Sequence, residues 1–270
     1  MIKILIYGHN GYIGSNLKNY LMEHNNVKIL KSNFKKIKKD TDIKYDIDIL
    51  KPDRIISCIG LVKKDNLFST EFLNQNKYMS ENIENNLYLH ILISKICIKY
   101  NIHFTYIGTG CLYSSKNKVF FENDEPNFFN SNYSIVKGYT DKILNLDKDK
   151  ILILRLRQCI NSDNKKQNFL NKFLSFKKVS DIQNSYTVIP SIFPILSKLI
   201  IQGKFGIFNC VNKGSISVKE IVELFGHNDF IVCDKEEMYE KYSNCILSTE
   251  KLENLYHIEN IKDAIIKLRN

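Results

Sequence analysis

Apolar and polar positions follow one rhythm through the first half of the chain and another after it. Ile2 to Tyr7 is a β-rich run. Gly11 to Glu23 places Ile13, Leu17 and Leu21 at helical spacing. Val27 to Leu30 is a short second strand, and Lys51 to Gly60 reads as a turn, a strand and a glycine. Glu81 to Tyr100 is expected to be one long helix and His103 to Gly108 a further strand. Asn132 to Asn145 is a helix, and Ile151 to Leu156 a near-continuous apolar strand. Strands that alternate with helices and are apolar on both faces predict an α/β fold with a doubly wound parallel sheet. Beyond residue 157 the pattern predicts helices near Gln167 to Phe176, up to Ile201, over Ser217 to Phe225 and over Ile261 to Leu268, with a strand from Gly206. The expected division is therefore a sheet domain over 1–157 and a smaller C-terminal lobe over 158–270.

The first strand runs into Tyr7-Gly8-His9-Asn10-Gly11-Tyr12-Ile13-Gly14, which opens a helix. Gly8 permits a tight turn, Gly11 lets the backbone approach a pyrophosphate, and Gly14 lets the helix pack closely. The N–H groups of the helix start then face an anion. A glycine triplet in this strand–turn–helix context predicts a Rossmann-type dinucleotide site made by Gly8, Asn10, Gly11, Tyr12, Ile13 and Gly14. A site for NADH usually carries an acid at the end of the second strand. Here that strand ends Leu30-Lys31-Ser32-Asn33, and Lys31, Ser32 and Lys35 are suited to a 2′-phosphate. The cofactor expected is NADPH, with NADH as the alternative.

Tyr133-Ser134-Ile135-Val136-Lys137 sets a phenol and an ammonium four residues apart, on one helix face. An ammonium beside a phenol favours the phenolate, whose reference pKa is about 10. Such a tyrosine can exchange a proton with a carbonyl oxygen. A chain this rich in Tyr and Lys meets the spacing by chance about twice, so position must carry the weight. Of 15 tyrosines only Tyr133 has Lys four residues on. It lies after the strand that ends Gly108-Thr109-Gly110-Cys111, where Thr109 can offer a second hydroxyl to the same oxygen.

Composition narrows the class. The chain has 270 residues, 44% hydrophobic and 25% charged, which excludes disordered and collagen-like proteins. No apolar run reaches the roughly 18 residues of a membrane helix, and the start is too short in apolar residues for a signal peptide. Seven scattered cysteines without CxxC spacing indicate neither a disulfide framework nor a metal site. A reducing, cytoplasmic setting is expected. The net charge of +10 raises nucleic-acid binding. With four Arg and one Ala against abundant Lys, Asn and Ile, codon bias or an anionic small ligand explains the charge better. No nucleic-acid or membrane partner is expected. Oligomeric state stays open, a homodimer among the options.

Several segments now share an order. They are YGHNGYIG from Tyr7, KPDRIISCIG from Lys51, ENNLYL from Glu84, GTGCLY from Gly108, DEPNF from Asp124 and YSIVK from Tyr133. LRLR from Leu154, QNFLNK from Gln167 and NSYTV from Asn184 follow. The chain resembles the extended short-chain dehydrogenase/reductases. Within them it is most similar to the nucleotide-sugar 3,5-epimerase/4-reductases of plants and giant DNA viruses, which finish UDP-L-rhamnose from UDP-4-keto-6-deoxyglucose. The resemblance implies Thr109, Tyr133 and Lys137 at the C4 oxygen, with Cys111 and Lys172 as acid and base for C3 and C5. It implies cofactor contacts at Gly60 and substrate contacts at Asn168, Asn184 and Thr187, and Arg157 could reach a diphosphate. Departures are Ser57-Cys58-Ile59-Gly60 where relatives read Asn-Ala-Ala-Gly, no arginine after the second strand, and His90 in place of a small residue. The alternatives are a 4-reductase without epimerase activity, a GDP-fucose synthase, which normally carries His where Lys172 stands, and a dinucleotide-binding regulatory subunit.

Overall fold

A computed structural model describes residues 1–62, 64 and 69–269. β1 (Ile2–Tyr7), α1 (Tyr12–Met22) and β2 (Val27–Leu30) open the chain. α2 (Asp40–Leu50), β3 (Arg54–Ser57), α3 (Met79–Ile83), α4 (Leu89–Lys99) and β4 (His103–Thr109) follow. Next come β5 (Val119–Phe120), α5 (Asn132–Asn145), β6 (Ile151–Leu156), β7 (Cys159–Ile160) and α6 (Phe169–Leu174). β8 (Lys178–Val179), β9 (Thr187–Val188), α7 (Ile189–Ile201), β10 (Gly206–Asn209) and α8 (Val218–Leu224) lie beyond. β11 (Ile231–Val232), α9 (Lys235–Lys241), β12 (Ile246–Leu247), α10 (Glu250–Glu253) and α11 (Ile261–Ile266) complete it.

The main sheet has the order β10-β6-β4-β3-β1-β2. β1 pairs in parallel with both β2 and β3, and β3 with β4. All residues of β4 and β6 are buried, as expected of parallel strands covered on both faces. The chain leaves β1 for β2 on one side and returns to β3 on the other. That reversal makes the carboxyl ends of β1 and β3 the switch point at which such sheets bind ligands.

Contacts divide the chain into two compact units that interleave in sequence. The first is 1–108, 131–154 and 193–207; the second is 109–130, 155–192 and 208–270. The expected single boundary at 157/158 differs from this division, because the chain crosses over several times. One crossing falls between Gly108 and Thr109, and another inside α7, just before Pro194. The first unit is built on Leu5, Ile43, Ile47, Ile55, Ile93, Phe104 and Ile153. The second has its own core of Ile160, Phe173, Tyr186, Val188, Ile216 and Ile265. No helix among the described residues is long and apolar enough to cross a membrane, and all seven cysteines are free thiols.

Two elements of the first unit depart from the pattern reading. α2, with Ile43 and Ile47 buried, is not among the elements expected from the pattern, and it carries four Asp. Two of those acids support the helix: Asp40 pairs with Lys44 at 2.5 Å, and Asp42 accepts the N–H of Lys38 at 2.9 Å. The long helix expected over Glu81 to Tyr100 is interrupted by a π turn over Glu84–Tyr88 between α3 and α4. Asn82, Asn86 and His90 are all buried along it.

Candidate functional site

The glycine turn sits at the switch point of the first unit. Gly8 has φ +83°, and a Cβ there would lie 2.6 Å from the carbonyl oxygen of Cys58 after β3. At Gly14 a Cβ would lie 2.3 Å from the oxygen of Gly8, so helix and turn touch only because both residues lack side chains. The Gly11 N–H closes the turn on the Gly8 carbonyl at 3.0 Å. Gly11 is also the N-cap of α1, and no side chain caps this helix. The first turn holds no acid, so the N–H groups of Tyr12 and Ile13 and the positive end of the helix dipole suit a phosphate. A cradle kept clear by glycine and a helix start without a side-chain cap together fit a dinucleotide.

The end of β2 is tied down by an acid from α2. Asp46 is fully buried. It accepts the Ser32 hydroxyl at 2.6 Å, the Asn33 N–H at 2.9 Å, the Asn33 amide at 2.8 Å and the Tyr7 phenol at 3.2 Å. Burial, and then Asp46, pushes the Tyr7 pKa above the ordinary tyrosine value, so this phenol remains a donor. Ser32 was expected to receive a 2′-phosphate, but its proton goes to Asp46 and its oxygen accepts the Phe34 N–H at 3.0 Å. Lys31 and Lys35 are exposed beside it.

Gly60 lies in the loop after β3, and that loop is held by Asn86. The Asn86 side chain accepts the Leu61 N–H at 3.1 Å and donates to the Leu61 oxygen at 3.2 Å. The Asn86 backbone carbonyl, in the π turn, lies 2.7 Å from the Thr140 hydroxyl and shares its one proton with the Val136 carbonyl at 2.8 Å. Thr140 is on α5, the helix of Tyr133 and Lys137, whose start is capped by the Ser131 hydroxyl. Tyr133 is half-buried and Lys137 buried. The Lys137 ammonium stands 4.5 Å from the ring centre of Tyr106 on β4. The aromatic face partly replaces the water this ammonium gives up on burial. His90 packs edge-on to the same ring at 4.6 Å and meets the Ser57 hydroxyl at 2.9 Å. Burial, and then the Lys137 charge, lowers its pKa well below the ordinary histidine value, so His90 is neutral.

The second unit holds Thr109, Cys111, Arg157, Lys172, Asn168, Asn184 and Thr187. The Thr109 hydroxyl oxygen accepts the Cys111 N–H at 3.1 Å, which leaves its proton to be donated elsewhere. Cys111 is half-buried, and its sulfur receives an N–H of Arg157 at 2.9 Å. Lys172 sits on α6 with its ammonium 4.5 Å from the Phe169 ring centre, and burial lowers its pKa from the ordinary lysine value.

The residues expected on the substrate are instead bonded inside the unit. Asn168 is fully buried and caps α6 while bonding Asn161 and Asp163. Thr187 donates to the Cys210 oxygen and accepts the Arg157 N–H. Asn184 accepts from Arg157 and from the Cys245 N–H. Arg157 is 1% exposed and cannot present its fork to a surface diphosphate in this arrangement. Their place in shared motifs marks them equally well as scaffold. The sequence reading missed Asp46 and Tyr106. Of these only Asp46 had a local signal, an acid on the apolar side of a helical spacing.

The parallel sheet and the glycine turn at its switch point define a Rossmann-type α/β protein. The pattern of the NAD dependent epimerase/dehydratase family matches residues 4–173, and the chain belongs to that family. It is similar to the UDP-rhamnose synthase of Acanthamoeba polyphaga mimivirus, whose crystal structure superposes with a TM-score of 0.92. The two are 31% identical, over 99% of this chain and 98% of that one. A trifunctional UDP-glucose 4,6-dehydratase/UDP-4-keto-6-deoxy-D-glucose 3,5-epimerase/UDP-4-keto-L-rhamnose-reductase of Arabidopsis thaliana is 29% identical over 83% of this chain, which spans 34% of the plant protein. A dTDP-4-dehydrorhamnose reductase of Clostridium acetobutylicum, 20% identical with a TM-score of 0.78 over 99% of this chain and 98% of its own, shares the fold.

Proposed function

We propose that the protein is a nucleotide-sugar 3,5-epimerase/4-reductase that converts UDP-4-keto-6-deoxy-D-glucose to UDP-L-rhamnose with NADPH. The observation that carries the reading is the whole-length likeness to the mimivirus UDP-rhamnose synthase. The placing of Tyr133 and Lys137 four residues apart on α5 supports the reductase half, and the bonded Cys111 supports the epimerase half.

A ketone at C4 acidifies the hydrogens on C3 and C5, and each enolate and the final alkoxide put charge on the same oxygen. The C3–H or C5–H bond breaks toward Cys111, and Lys172 returns a proton to the carbon from its acid form. A lysine whose pKa is lowered by burial gives up its proton more readily near neutrality. The Thr109 hydroxyl, held through its oxygen by the Cys111 N–H, has its proton for the substrate oxygen. Tyr133 protonates the C4 oxygen at reduction, and Lys137 stabilises the phenolate that results. Bound NADPH would supply the hydride for C4. Gly8, Gly11, Tyr12, Ile13 and Gly14 would hold its pyrophosphate, and Lys31 and Lys35 its 2′-phosphate.

The test is to incubate the protein with UDP-4-keto-6-deoxyglucose and NADPH in D₂O, follow NADPH loss and read the sugar by NMR. Deuterium at C3 and C5 of a UDP-rhamnose product is the expected result. Reduction without deuterium would leave a plain 4-reductase. NADPH binding without turnover of any 4-keto sugar nucleotide would leave a binding protein. Tyr133→Phe is expected to lower reduction about 100-fold or more with cofactor affinity nearly unchanged.

A further inference from the structure

Arg157 follows β6 with its side chain buried. One guanidinium nitrogen donates to the Asn184 oxygen at 2.8 Å and the Ser243 carbonyl at 2.6 Å. The other donates to the Ser243 hydroxyl at 3.1 Å and the Cys111 sulfur at 2.9 Å. Ser243 is itself fixed by donating to the Tyr113 oxygen at 2.6 Å. Among the described residues no carboxylate pairs with Arg157. An arginine stays charged in a protein, and a buried charge without a counter-charge is costly. Three of its four acceptors are neutral oxygens, and the fourth is the sulfur, a weak acceptor as a thiol and a strong one as a thiolate.

The backbone around Cys111 is shaped for this contact. A Cβ on Gly110 would lie 2.6 Å from Leu247 Cδ1 and 3.3 Å from Arg157 Cδ, so the glycine leaves room for the arginine arm. The Thr109 oxygen fixes the Cys111 N–H from the other side. Burial works against the Arg157 charge, but Cys245, Cys111 and the Tyr186 phenol together outweigh it and raise its pKa above the ordinary arginine value.

We propose that Arg157 is the positioning residue of Cys111, holding the sulfur in place and supplying the positive charge against which it takes a proton from the sugar carbon. The proposal rests on reading Cys111 as the epimerisation base. In that step the C–H bond breaks, an S–H bond forms, and the electron pair passes into the enolate at the C4 oxygen.

The first test uses the unaltered protein, iodoacetamide at pH 7 and peptide mass spectrometry. Cys111 should alkylate about tenfold faster than Cys233, which is half-buried like it. Equal or slower alkylation of Cys111 overturns the proposal without requiring any variant to fold. Next, R157Q should lower both Cys111 alkylation and deuterium uptake at C3 and C5 by about tenfold, with KM for the nucleotide sugar changed by less than about threefold. R157K, which keeps the charge and loses the fork, should fall between. In a C111S background R157Q should add no further loss of deuterium uptake. A tenfold rise in KM with deuterium uptake unchanged would make Arg157 a diphosphate contact and overturn the proposal. If C111S itself keeps full uptake, the base reading of Cys111 fails, whereas a C111S loss that R157Q does not reproduce sinks the Arg157 proposal alone.

Discussion

Asp46 gives the sharpest test of how the chain holds the end of β2. One buried carboxylate accepts four hydrogen bonds from Tyr7, Ser32 and Asn33. Asp46→Ala removes all four and strands their donors. A hydrogen bond to a charged group contributes about 1.5–3 kcal/mol, but bonds sharing one carboxylate do not add. Breaking a buried charged network costs about 3–5 kcal/mol. Water can reach half-buried Ser32 and exposed Asn33, so about 3 kcal/mol is expected here. Asp46→Asn is different. Its oxygen can keep both Asn33 bonds, and its NH₂ can donate to Tyr7 and Ser32 once their hydroxyls turn. That change should cost about 1–2 kcal/mol. Urea unfolding followed by circular dichroism measures both losses. NADPH fluorescence titration should show affinity about tenfold weaker in D46A and little changed in D46N, since the loosened loop carries Lys31 and Lys35. A D46A loss under about 1 kcal/mol, or equal losses in the two variants, would refute the reasoning.

Three further outcomes are expected. Gly14→Ala should lower stability by about 2–3 kcal/mol and weaken NADPH binding by about tenfold, because its Cβ meets the Gly8 carbonyl; Gly60→Ala, whose nearest contact would be 3.4 Å, should cost under about 1 kcal/mol. Thermal melting separates the two. Thr140→Val keeps the shape but withdraws the donor from the Asn86 carbonyl, and should cost about 1–2 kcal/mol in urea titration. Burial works against the charge of Glu220, but bonds from Lys262, the Ser217 N–H and Gln183 outweigh it and hold its pKa at about 2 against an ordinary 4.5. A folded pKa below the unfolded one contributes stability that is present above pH 4.5 and lost as pH falls toward about 2. With its side chain 30% exposed, that contribution is about 1–2 kcal/mol after solvent screening. Glu220→Gln should therefore lose less stability than the parent between pH 5 and about pH 2.5, read as the shift of the urea midpoint.

What the sequence revealed depended on the range of the interaction. β1, α5 and β6 were legible because their signals are local: an unbroken apolar run, or a helical spacing. α2 was harder to read because its four Asp interrupt the apolar pattern, although two of them support the helix. The π turn was hidden for another reason. Its Asn86 carbonyl meets the Thr140 hydroxyl, 54 positions away, and no period in the sequence announces such a partner. The candidate site divides the same way. Tyr133 with Lys137, and the glycines of the first turn, are spaced by the geometry of one helix or one turn. Arg157 and Cys111 are 46 residues apart, and nothing near either one shows that they touch.

The Gly108-Thr109-Gly110-Cys111 segment shows why a motif can be recognised before it is understood. As sequence it offers a hydroxyl and a thiol at a strand end. In the structure two of its four positions are set by packing. A Cβ at Gly108 would lie 3.1 Å from the Tyr106 ring, the ring that supports the Lys137 ammonium. A Cβ at Gly110 would crowd Leu247 and the Arg157 arm. The residues that carry them are linked by a bond of their own, from the Cys111 backbone N–H to the Thr109 oxygen. Alanine at either glycine should therefore disturb a charged side chain that the motif does not contain: Lys137 through Tyr106 at Gly108, and Arg157 directly at Gly110. Each glycine thus answers to chemistry carried elsewhere in the chain.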